Sequence, residues 1–410
     1  MIVEIRTLKD LMEINNSPEN LSKSYTLMND IDVGSEETPS LSFKPIGSES
    51  NPFKGTFSGN GYTISNITFS DDKMKYVGLF GYVKGAKFYD IVLKDINVSG
   101  DTGVGGLLGC GFNVHIKGCS IENSENDSAV RGRTITGGLV GYMSKSSVSE
   151  SYSKNNVIVK NSSVGGLIGS MEDHSSVFES YAAGTVIGKD FIGGLVGWMS
   201  ESSVSDSYAV GNVTGSENNI GGLVGSMEEG SVFKSYATGA VTGGFLVGGL
   251  VGVIDRGSSI SGSYATGAVT GTKYIGGLVG FMPDSSVSNS YATGTATGTD
   301  YVGGFVGCMK KSSVSNSYAT GTATGIKEVG GLVGWMAGSD STIAGSFYIG
   351  APDSKNNLKG IFVTSDELKK ISTFTNVSKP WDISSSPNQN SIWYINEGQD
   401  YPKLNQKNEP

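Results

Sequence analysis

The feature that most constrains the fold of this chain is a short segment that returns at a near-constant interval. Successive copies lie 27 or 28 residues apart. A period of this length is typical of one structural unit stacked on itself. Each copy opens with a Gly-Gly pair, whose first member is Gly137, Gly165, Gly193, Gly221, Gly248, Gly276, Gly303 or Gly330.

The composition of the copies indicates short β-strands. The copy "IGGLVGWMSESSVSDSYAVGNVTG" at 192–215 has runs rich in Val, Ile and Tyr separated by Gly and Ser, a pattern that favours strands over helix interiors. We predict about three strands per copy, forming one turn of a solenoid whose strands lie about 4.8 Å apart. The predicted fold is all-β: a single right-handed parallel β-helix of 27–28-residue coils, roughly a dozen in number, with a cap at each end.

Comparison of the copies slot by slot separates the core from the surface. Two slots four residues apart are almost uniformly apolar, and an even offset places both on one face of a strand. In the copy at 192–215 these slots hold Leu195 and Met199. We predict that both are buried together with Val204, whereas Glu201 and Asp206 are exposed. The Gly-Gly pair is predicted to form a corner or bulge where a Cβ atom would crowd the narrow interior.

Two further slots predict ladders that run along the stack. One slot holds serine, at Ser151, Ser180, Ser207, Ser235, Ser263, Ser290, Ser317 and Ser346. The next slot holds an aromatic ring, at Tyr152, Tyr181, Tyr208, Tyr236, Tyr264, Tyr291, Tyr318 and finally Phe347. The serines can hydrogen-bond along the stack, and neighbouring rings can attract by ~0.5–1.5 kcal/mol per pair.

Because a solenoid exposes strand edges at its ends, both ends are predicted to be capped. Thr7 is predicted to cap a short helix, with Asp10 three residues on, and "SDELKKIS" from Ser365 predicts another short helix. The cluster of Trp381, Trp393 and Tyr394 is predicted to close the C-terminal end. The predicted segments are a cap with the first strands at 1–48, divergent coils at 49–120, repeat coils at 121–345 and a cap at 346–410.

Composition and charge exclude several classes of function. The net charge is −9 and no Lys/Arg run occurs, so nucleic acid is not a predicted partner. No segment reaches membrane-spanning length, and the start "MIVEIRTLKDLMEINN" lacks the features of a signal peptide. The chain has two histidines and three cysteines without metal-ligand spacing, so we predict no metal or other cofactor. Pairing of Cys110 with Cys119 stays open.

The repeats resemble a known family. The motifs "VGGLIG", "IGGLVG" and "VGGFVG", followed by "SSVSNSYATGTATG", are similar to the GLUG repeat of large bacterial surface proteins. That repeat also occurs beside the catalytic part of some bacterial immunoglobulin A peptidases. The resemblance covers nearly the whole chain and implies a β-helical architecture and a surface context, without implying one activity. The HExxH zinc motif of the peptidases is absent from this sequence, so proteolysis does not carry over.

One polar column could support chemistry. Glu150, Glu179 and Asp206 share a slot in three consecutive copies, and stacked carboxylates could hold Ca²⁺ or act as an acid/base pair. The same slot later holds Lys234 and Gly262. This drift favours a solvated surface. The threonine rows of "TGTATG" at 293–298 and 320–325 are too short and irregular to favour ice binding.

The slot directly before the Met slot varies in character and is therefore predicted to face outward. It holds Tyr142, Trp198, Phe281 and Trp335, which we predict to bind an extended glycan or a strand-like peptide. The second candidate is the insertion Glu122–Thr134, a loop that can project from the solenoid. It mixes acidic and basic residues, namely Glu122, Glu125, Asp127, Arg131 and Arg133.

These observations predict a non-enzymatic adhesin-like β-helix, extracellular or at the cell surface. It would act as a monomer, without membrane insertion, and bind a host or cell-surface glycan or protein through its lateral face and loops. Two alternatives stay open: a receptor-binding fibre of a phage tail or injection apparatus, and a polysaccharide-acting lyase or hydrolase on the same solenoid. A lateral groove with two carboxylates about 5–10 Å apart would favour the enzyme.

Overall fold

The computed structural model of the chain is all-β, with 50% strand and 4% helix, and it describes residues 2–34, 43–123, 128–350, 359–387 and 390–405. The strands form a parallel β-solenoid of about 11 turns with a short helical cap, which confirms the predicted fold class. The chain divides into two compact units. Unit 1 contains Met1–Ser216 and Leu223–Ser226, and unit 2 contains Glu217–Gly222 and Met227–Pro410.

A full coil has five short strands, so the prediction of about three per copy was wrong. In the coil of Leu195 they are Asp190–Gly193, Val196–Ser200, Ser203–Ser205, Tyr208–Ala209 and Val213–Gly215. Two of the extra breaks have a clear cause. Glu201 and Asp206 each directly follow a strand and have a φ of 47°, and left-handed backbone at these two positions turns the chain out of the strand direction.

The strands of unit 1 pair in parallel with their counterparts in neighbouring coils and form five sheets. The first sheet contains Ile2–Ile5, Ser24–Leu27, Thr56–Ser58, Lys87–Tyr89, His115–Lys117, Ser147–Ser149, Ser176–Phe178 and Ser203–Ser205. The second contains Ile31–Asp32, Thr63–Ser65, Val92–Lys94, Ser120–Glu122, Tyr152–Ser153, Tyr181–Ala182 and Tyr208–Ala209. The third contains Thr68–Ser70, Asn97–Ser99, Ala129–Gly132, Asn156–Val159, Val186–Gly188 and Val213–Gly215. The fourth contains Thr102–Val104, Thr134–Gly137, Ser162–Gly165 and Asp190–Gly193, and the fifth Phe80–Lys84, Leu108–Phe112, Val140–Ser144, Ile168–Glu172 and Val196–Ser200.

The N-terminal helix has the predicted cap. It spans Leu8–Glu13, and Thr7 and Asp10 form a reciprocal capping box in which each side chain accepts the other's backbone N–H. Leu8 and Leu11 point into the core. Two 3₁₀ helices follow, at Ile14–Asn16 and Asn20–Ser22.

Unit 2 repeats the same five positions, and its strands also pair in parallel. Those of the position that contains the Gly-Gly pair are Asn218–Gly221, Phe245–Gly248, Lys273–Gly276, Asp300–Gly303 and Lys327–Gly330. The next position contains Val251–Asp255, Val279–Pro283, Val306–Lys310 and Val333–Met336. The strand Val224–Glu228 occupies the same position, and its residues are divided between the two units. The third position contains Ser231–Phe233, Ser259–Ser261, Ser286–Ser288, Ser313–Ser315 and Thr342–Ala344. The fourth contains Tyr236–Ala237, Tyr264–Ala265, Tyr291–Ala292, Tyr318–Ala319, Phe347–Tyr348 and Ile361–Phe362. The fifth contains Val241–Thr242, Val269–Thr270, Ala296–Thr297 and Ala323–Thr324.

The C-terminal segment differs from the prediction in the position of its helix. Residues 365–369 form turns, and the helix spans Ile371–Thr375. A single helical turn does close from Thr364, but it cannot continue because Lys370 has an extended backbone, with φ −111° and ψ 128°. A three-stranded sheet of Ile383–Ser384, Trp393–Tyr394 and Lys403–Leu404 follows.

The core has the predicted slots. Leu195, Met199 and Val204 are fully buried, and Glu201 is exposed, whereas Asp206 is only partly exposed. The glycine pairs leave no room for a Cβ atom, as predicted, but the obstacle is neighbouring backbone. A Cβ atom on Gly193 would lie 1.9 Å from the Val196 carbonyl oxygen, closer than any side chain can tolerate.

The predicted serine ladder is present in both units. In unit 1 the Oγ of Ser207 accepts the backbone N–H of Ser180 at 3.1 Å and donates to the Ser205 carbonyl at 2.7 Å. A second ladder, which the sequence comparison missed, runs along Ser146, Ser175 and Ser202 with the same pattern. The left-handed corners leave the backbone N–H groups of the ladder serines without a partner in a sheet. The serine hydroxyls of the next coil accept these N–H groups, since buried donors need partners.

The tyrosine ladder is also present. Ring centroids lie 4.7–4.9 Å apart and nearly parallel in unit 1, along Tyr152, Tyr181 and Tyr208. In unit 2 they lie 4.7–5.2 Å apart, along Tyr236, Tyr264, Tyr291 and Tyr318. The rings serve as rungs of the stack in each unit.

Candidate functional site

The outer slot of unit 2 is part of a continuous row of four aromatic rings. We call Phe281, Tyr274, Tyr301 and Trp335 the lateral aromatic strip. Successive ring centroids along it lie 5.7, 4.9 and 4.9 Å apart. All four side chains are half-buried, so each packs against the solenoid and keeps part of its surface in solvent.

Two lysines lie over the strip. The Nζ of Lys273 is 5.0 Å from the ring centroid of Tyr274 and 5.1 Å from that of Tyr301, and Lys327 is 5.9 Å from Tyr301. Ammonium groups at these distances are attracted by the ring faces. The strip therefore offers apolar ring surface bordered by hydrogen-bond donors.

Sequence comparison found Phe281 and Trp335 but missed the two tyrosines that join them. Tyr274 and Tyr301 occupy the slot two residues before the Gly-Gly pair, where their φ values are 62° and 58°. Left-handed backbone is unfavourable for bulky residues and favours Gly or Asn. The same slot-by-slot comparison, extended to this position, would have shown the aromatic pair.

The other two predicted aromatics lie in unit 1. Tyr142 ends a chain of ring contacts through Phe112 and Tyr82 to Tyr76, with centroids 5.2–5.7 Å apart. Burial raises the pKa of Tyr142, and the nearby carboxylate of Glu172 raises it further. Trp198 occupies the same slot and is half-buried.

The outer slot is less exposed than predicted. Its aromatic members are half-buried, and Ser170, Ser226 and Cys308 in the same slot are buried. In unit 2, rings from the left-handed slot pack against Phe281 and Trp335. This packing reduces the exposed ring area and also holds the rings in place.

The second predicted site places its arginines beside a recess of about 170 Å³ in unit 1. Arg133 forms an ion pair with Asp101, and Arg131 donates to the Asn97 side chain at 2.7 Å. The hydrogen bond from Arg133 lowers the pKa of Asp101. The arginines thus have partners in the preceding coil, whereas Glu125 and Asp127 of the predicted loop lie outside the described residues.

The acidic column is a row of left-handed corners. Glu150, Glu179 and Asp206 have φ values of 50°, 45° and 47°, and Lys117 forms a 2.9 Å ion pair with Glu150. Within the described parts of the chain, no group of three or more His, Cys, Asp and Glu side chains could hold a metal ion. The residue type varies along this column because the position requires a left-handed backbone conformation and not a particular side chain.

The only close contact between a histidine and a hydroxyl among the described residues joins two register partners. Nδ1 of His115 lies 2.8 Å from Oγ of Ser147, on adjacent parallel strands. A serine nucleophile also needs a group that orients the base. The ring of His115 instead meets the edge of Tyr89, with centroids 5.8 Å apart, so the pair is a cross-strand contact.

All three cysteines are free and buried, so Cys110 and Cys119 do not pair. Burial raises the pKa of each thiol to about 12, which keeps it protonated and unreactive. Cys119 occupies the serine-ladder slot, where its Sγ contacts the Lys117 carbonyl at 3.5 Å.

These features define a repeat β-solenoid with aromatic surface rows, and comparison with known proteins identifies its repeat. Residues 243–270, one coil in length, match the GLUG motif, and the copies on either side have the same residue pattern, which supports a GLUG-repeat protein. A related protein is halomucin of Haloquadratum walsbyi, 33% identical over 153 residues. The match covers 35% of this chain and 2% of halomucin, so the chain spans a small fraction of that relative.

Two solved structures are similar to the chain, each with 17% sequence identity. An IgA1 protease has a TM-score of 0.36, over 86% of this chain and 22% of the protease. A putative immunoglobulin A1 protease from Bacteroides ovatus has a TM-score of 0.33, over 98% of this chain and 91% of that protein. Among the described residues, no helix is long and apolar enough to cross a membrane.

Proposed function

We propose that this chain is a surface-associated, extracellular β-solenoid that binds extended glycans and does not cleave them. The observation that carries the proposal is the lateral aromatic strip, in which four contacting rings and two lysines line one side of unit 2. The exposed parts of the rings offer apolar surface to the apolar faces of sugar rings, and the lysines supply donors for hydroxyl groups.

The GLUG repeat and the similarity to halomucin support the surface setting. The order of the strip supports an extended ligand. Its rings follow one another from coil to coil, so a linear glycan could contact several of them at once. Contacts made in series on one rigid surface add affinity without requiring a deep pocket.

The test uses substitutions that the chain itself already contains. Trp335→Ser removes one end of the strip, because Ser170 and Ser226 occupy the same slot elsewhere. Tyr301→Asn removes its centre, because Asn219 occupies that slot with φ 60°. On a glycan array we expect binding by the native chain and a roughly tenfold weaker interaction with either variant, the scale of one or two lost ring contacts.

Trp198→Ser is the matched control, since it makes the same exchange in the same slot of unit 1. Binding that is lost with Trp198→Ser and unchanged with the two strip variants would move the site to unit 1. Release of reducing sugar from the bound glycans would contradict the non-enzymatic part of the proposal.

A further inference from the structure

Unit 2 contains a cleft that the lateral aromatic strip does not involve. The cleft has a volume of about 330 Å³ and lies between one corner of the coils and the C-terminal segment. Phe233, Gly262 and Asn289 line it on the coil side, and Asp382 and Ile392 on the other. Its volume is at the lower end of the range for small-molecule sites.

The cleft exists because one corner lacks a side chain. Gly262 occupies the left-handed corner slot, with φ 59°, and the neighbouring coils place Lys234 and Asn289 in it. A Cβ atom on Gly262 would meet nothing closer than 3.5 Å, at Cγ of Lys234. The space beside the corner is therefore open and could accept a side chain without a clash.

The lining combines an aromatic surface with unused polar groups. Phe233 is 44% exposed, and Nζ of Lys234 lies 5.1 Å from its ring centroid. The carboxylate of Asp382 accepts one backbone N–H, from Ile392 at 3.3 Å, and a carboxylate can accept about four such bonds. Asn289 adds an amide that can both donate and accept.

The balance of these groups selects an uncharged ligand. Lys234 and Asp382 cancel in charge, so neither an anion nor a cation gains net attraction. A ligand that fills the cleft must place an apolar face on Phe233 and hydroxyl groups toward the carboxylate, the amide and the ammonium group. We propose that this cleft binds a single uncharged sugar residue. The proposal stands independently of the function proposed for the strip.

The chain offers substitutions that alter the cleft and preserve the fold. Phe233→Ser removes the aromatic surface, and its register partner in the next coil is Ser261. Gly262→Asn fills the space, and Asn289 and Asn316 adopt the same backbone at this slot, with φ 47°. The matched control is Phe178→Ser, because Phe178 belongs to the other "SVF" copy, in unit 1, and is 40% exposed.

The experiment titrates the full chain with the methyl glycosides of glucose, galactose, mannose and N-acetylglucosamine. Binding of each glycoside is measured by saturation-transfer NMR. We expect at least one glycoside to bind to the native chain and to Phe178→Ser with the same Kd. Phe233→Ser and Gly262→Asn should each weaken that binding by at least tenfold, and Trp335→Ser should leave it unchanged.

Two results would overturn this site. One is the absence of binding by all four glycosides, and the other is undiminished binding by both Phe233→Ser and Gly262→Asn. If Trp335→Ser alone abolished binding, the sugar would belong to the lateral aromatic strip, and the cleft would not be a site. That last outcome would leave the function proposed for the strip intact.

Discussion

The tyrosine ladders of the two units have the same geometry and different surroundings. In unit 1, Tyr152, Tyr181 and Tyr208 are half-buried. In unit 2 the exposed fraction of the ladder tyrosines is only 2–8%, because the C-terminal segment covers them. Trp393 lies about 6 Å from the rings of Tyr291 and Tyr318, and the Tyr318 hydroxyl donates to the Pro402 carbonyl at 2.7 Å.

This comparison separates two roles of the sequence. The repeated residues determine where each ring lies and how it stacks, since the centroid spacing is nearly equal in both units. The non-repeated residues determine whether the ladder is covered. A surface built from identical rungs can therefore serve as core in one unit and as outer face in the other.

The substitutions with the largest expected effect test whether the two units have the same kind of core. Leu195 in unit 1 and Leu278 in unit 2 are both fully buried. Leu195→Asp and Leu278→Asp should each prevent folding, because an unpaired buried carboxylate costs several kcal/mol. Circular dichroism and yield of soluble protein would show this, with Glu201→Gln as an exposed control. Soluble, native-like protein from either variant would contradict the slot assignment.

Removal of the cover should have the next largest effect. Trp393 is fully buried and packs on Trp381 at 4.7 Å. Trp393→Ala should lower the free energy of unfolding by about 3–5 kcal/mol and leave the unit 2 ladder as accessible as that of unit 1. Urea denaturation and hydrogen exchange at residues 264–291 would measure both effects. Unchanged exchange there would mean that the segment does not protect the ladder.

A matched pair of tyrosine substitutions would measure what the cover contributes. Tyr181 and Tyr291 each stack between two tyrosines. Substitution of either one by alanine therefore loses nearly the same stacking energy. Tyr291→Ala should cost about 1–2 kcal/mol more than Tyr181→Ala, since more ring area leaves the protein interior. Equal costs from chemical denaturation would show that the covered ladder gains nothing from burial.

The smallest expected effect concerns alkaline pH and the half-buried ladder. Burial, with smaller contributions from Tyr152 and Tyr208, raises the pKa of Tyr181 from its ordinary value of 10.0 to about 12. A raised folded-state pKa means that the stabilisation is complete below pH 10 and is lost as the pH rises toward 12. Tyr181→Phe keeps the ring and removes the titrating hydroxyl, so its unfolding free energy should decline less over this interval. Parallel pH profiles of the two proteins would contradict this assignment.

The sequence predicted those parts of the structure that every copy repeats. The core at Leu195, the glycine pair at Gly193 and the serine and tyrosine ladders follow from residue chemistry at a fixed period, and the capping box at Thr7 follows from a local three-residue spacing. The number of strands did not follow, because the corners are filled by residues such as Glu201 and Asp206. Their side chains give no sign of left-handed backbone, whereas glycine or asparagine at every corner would have done so.

The candidate sites were only half predictable for a related reason. Phe281 and Trp335 stand out as rings in a variable slot, but Tyr274 joins them from a different slot, seven residues before Phe281. The cleft beside Phe233 depends on residues near 382–405, which lie far along the chain and outside the repeat. Periodicity carries no information about contacts of that kind.

The serine ladder described above has a direction, and this has a consequence for how the repeats can change. The hydroxyl of Ser207 satisfies a donor of Ser180 in the coil before it, and Ser151 does the same for Cys119. Loss of a hydroxyl therefore leaves an unmet polar group in the preceding coil rather than in its own. Each copy depends on its successor for this hydrogen bond, so a single coil can be exchanged, duplicated or deleted without loss only where the coil that then follows the junction carries the hydroxyl.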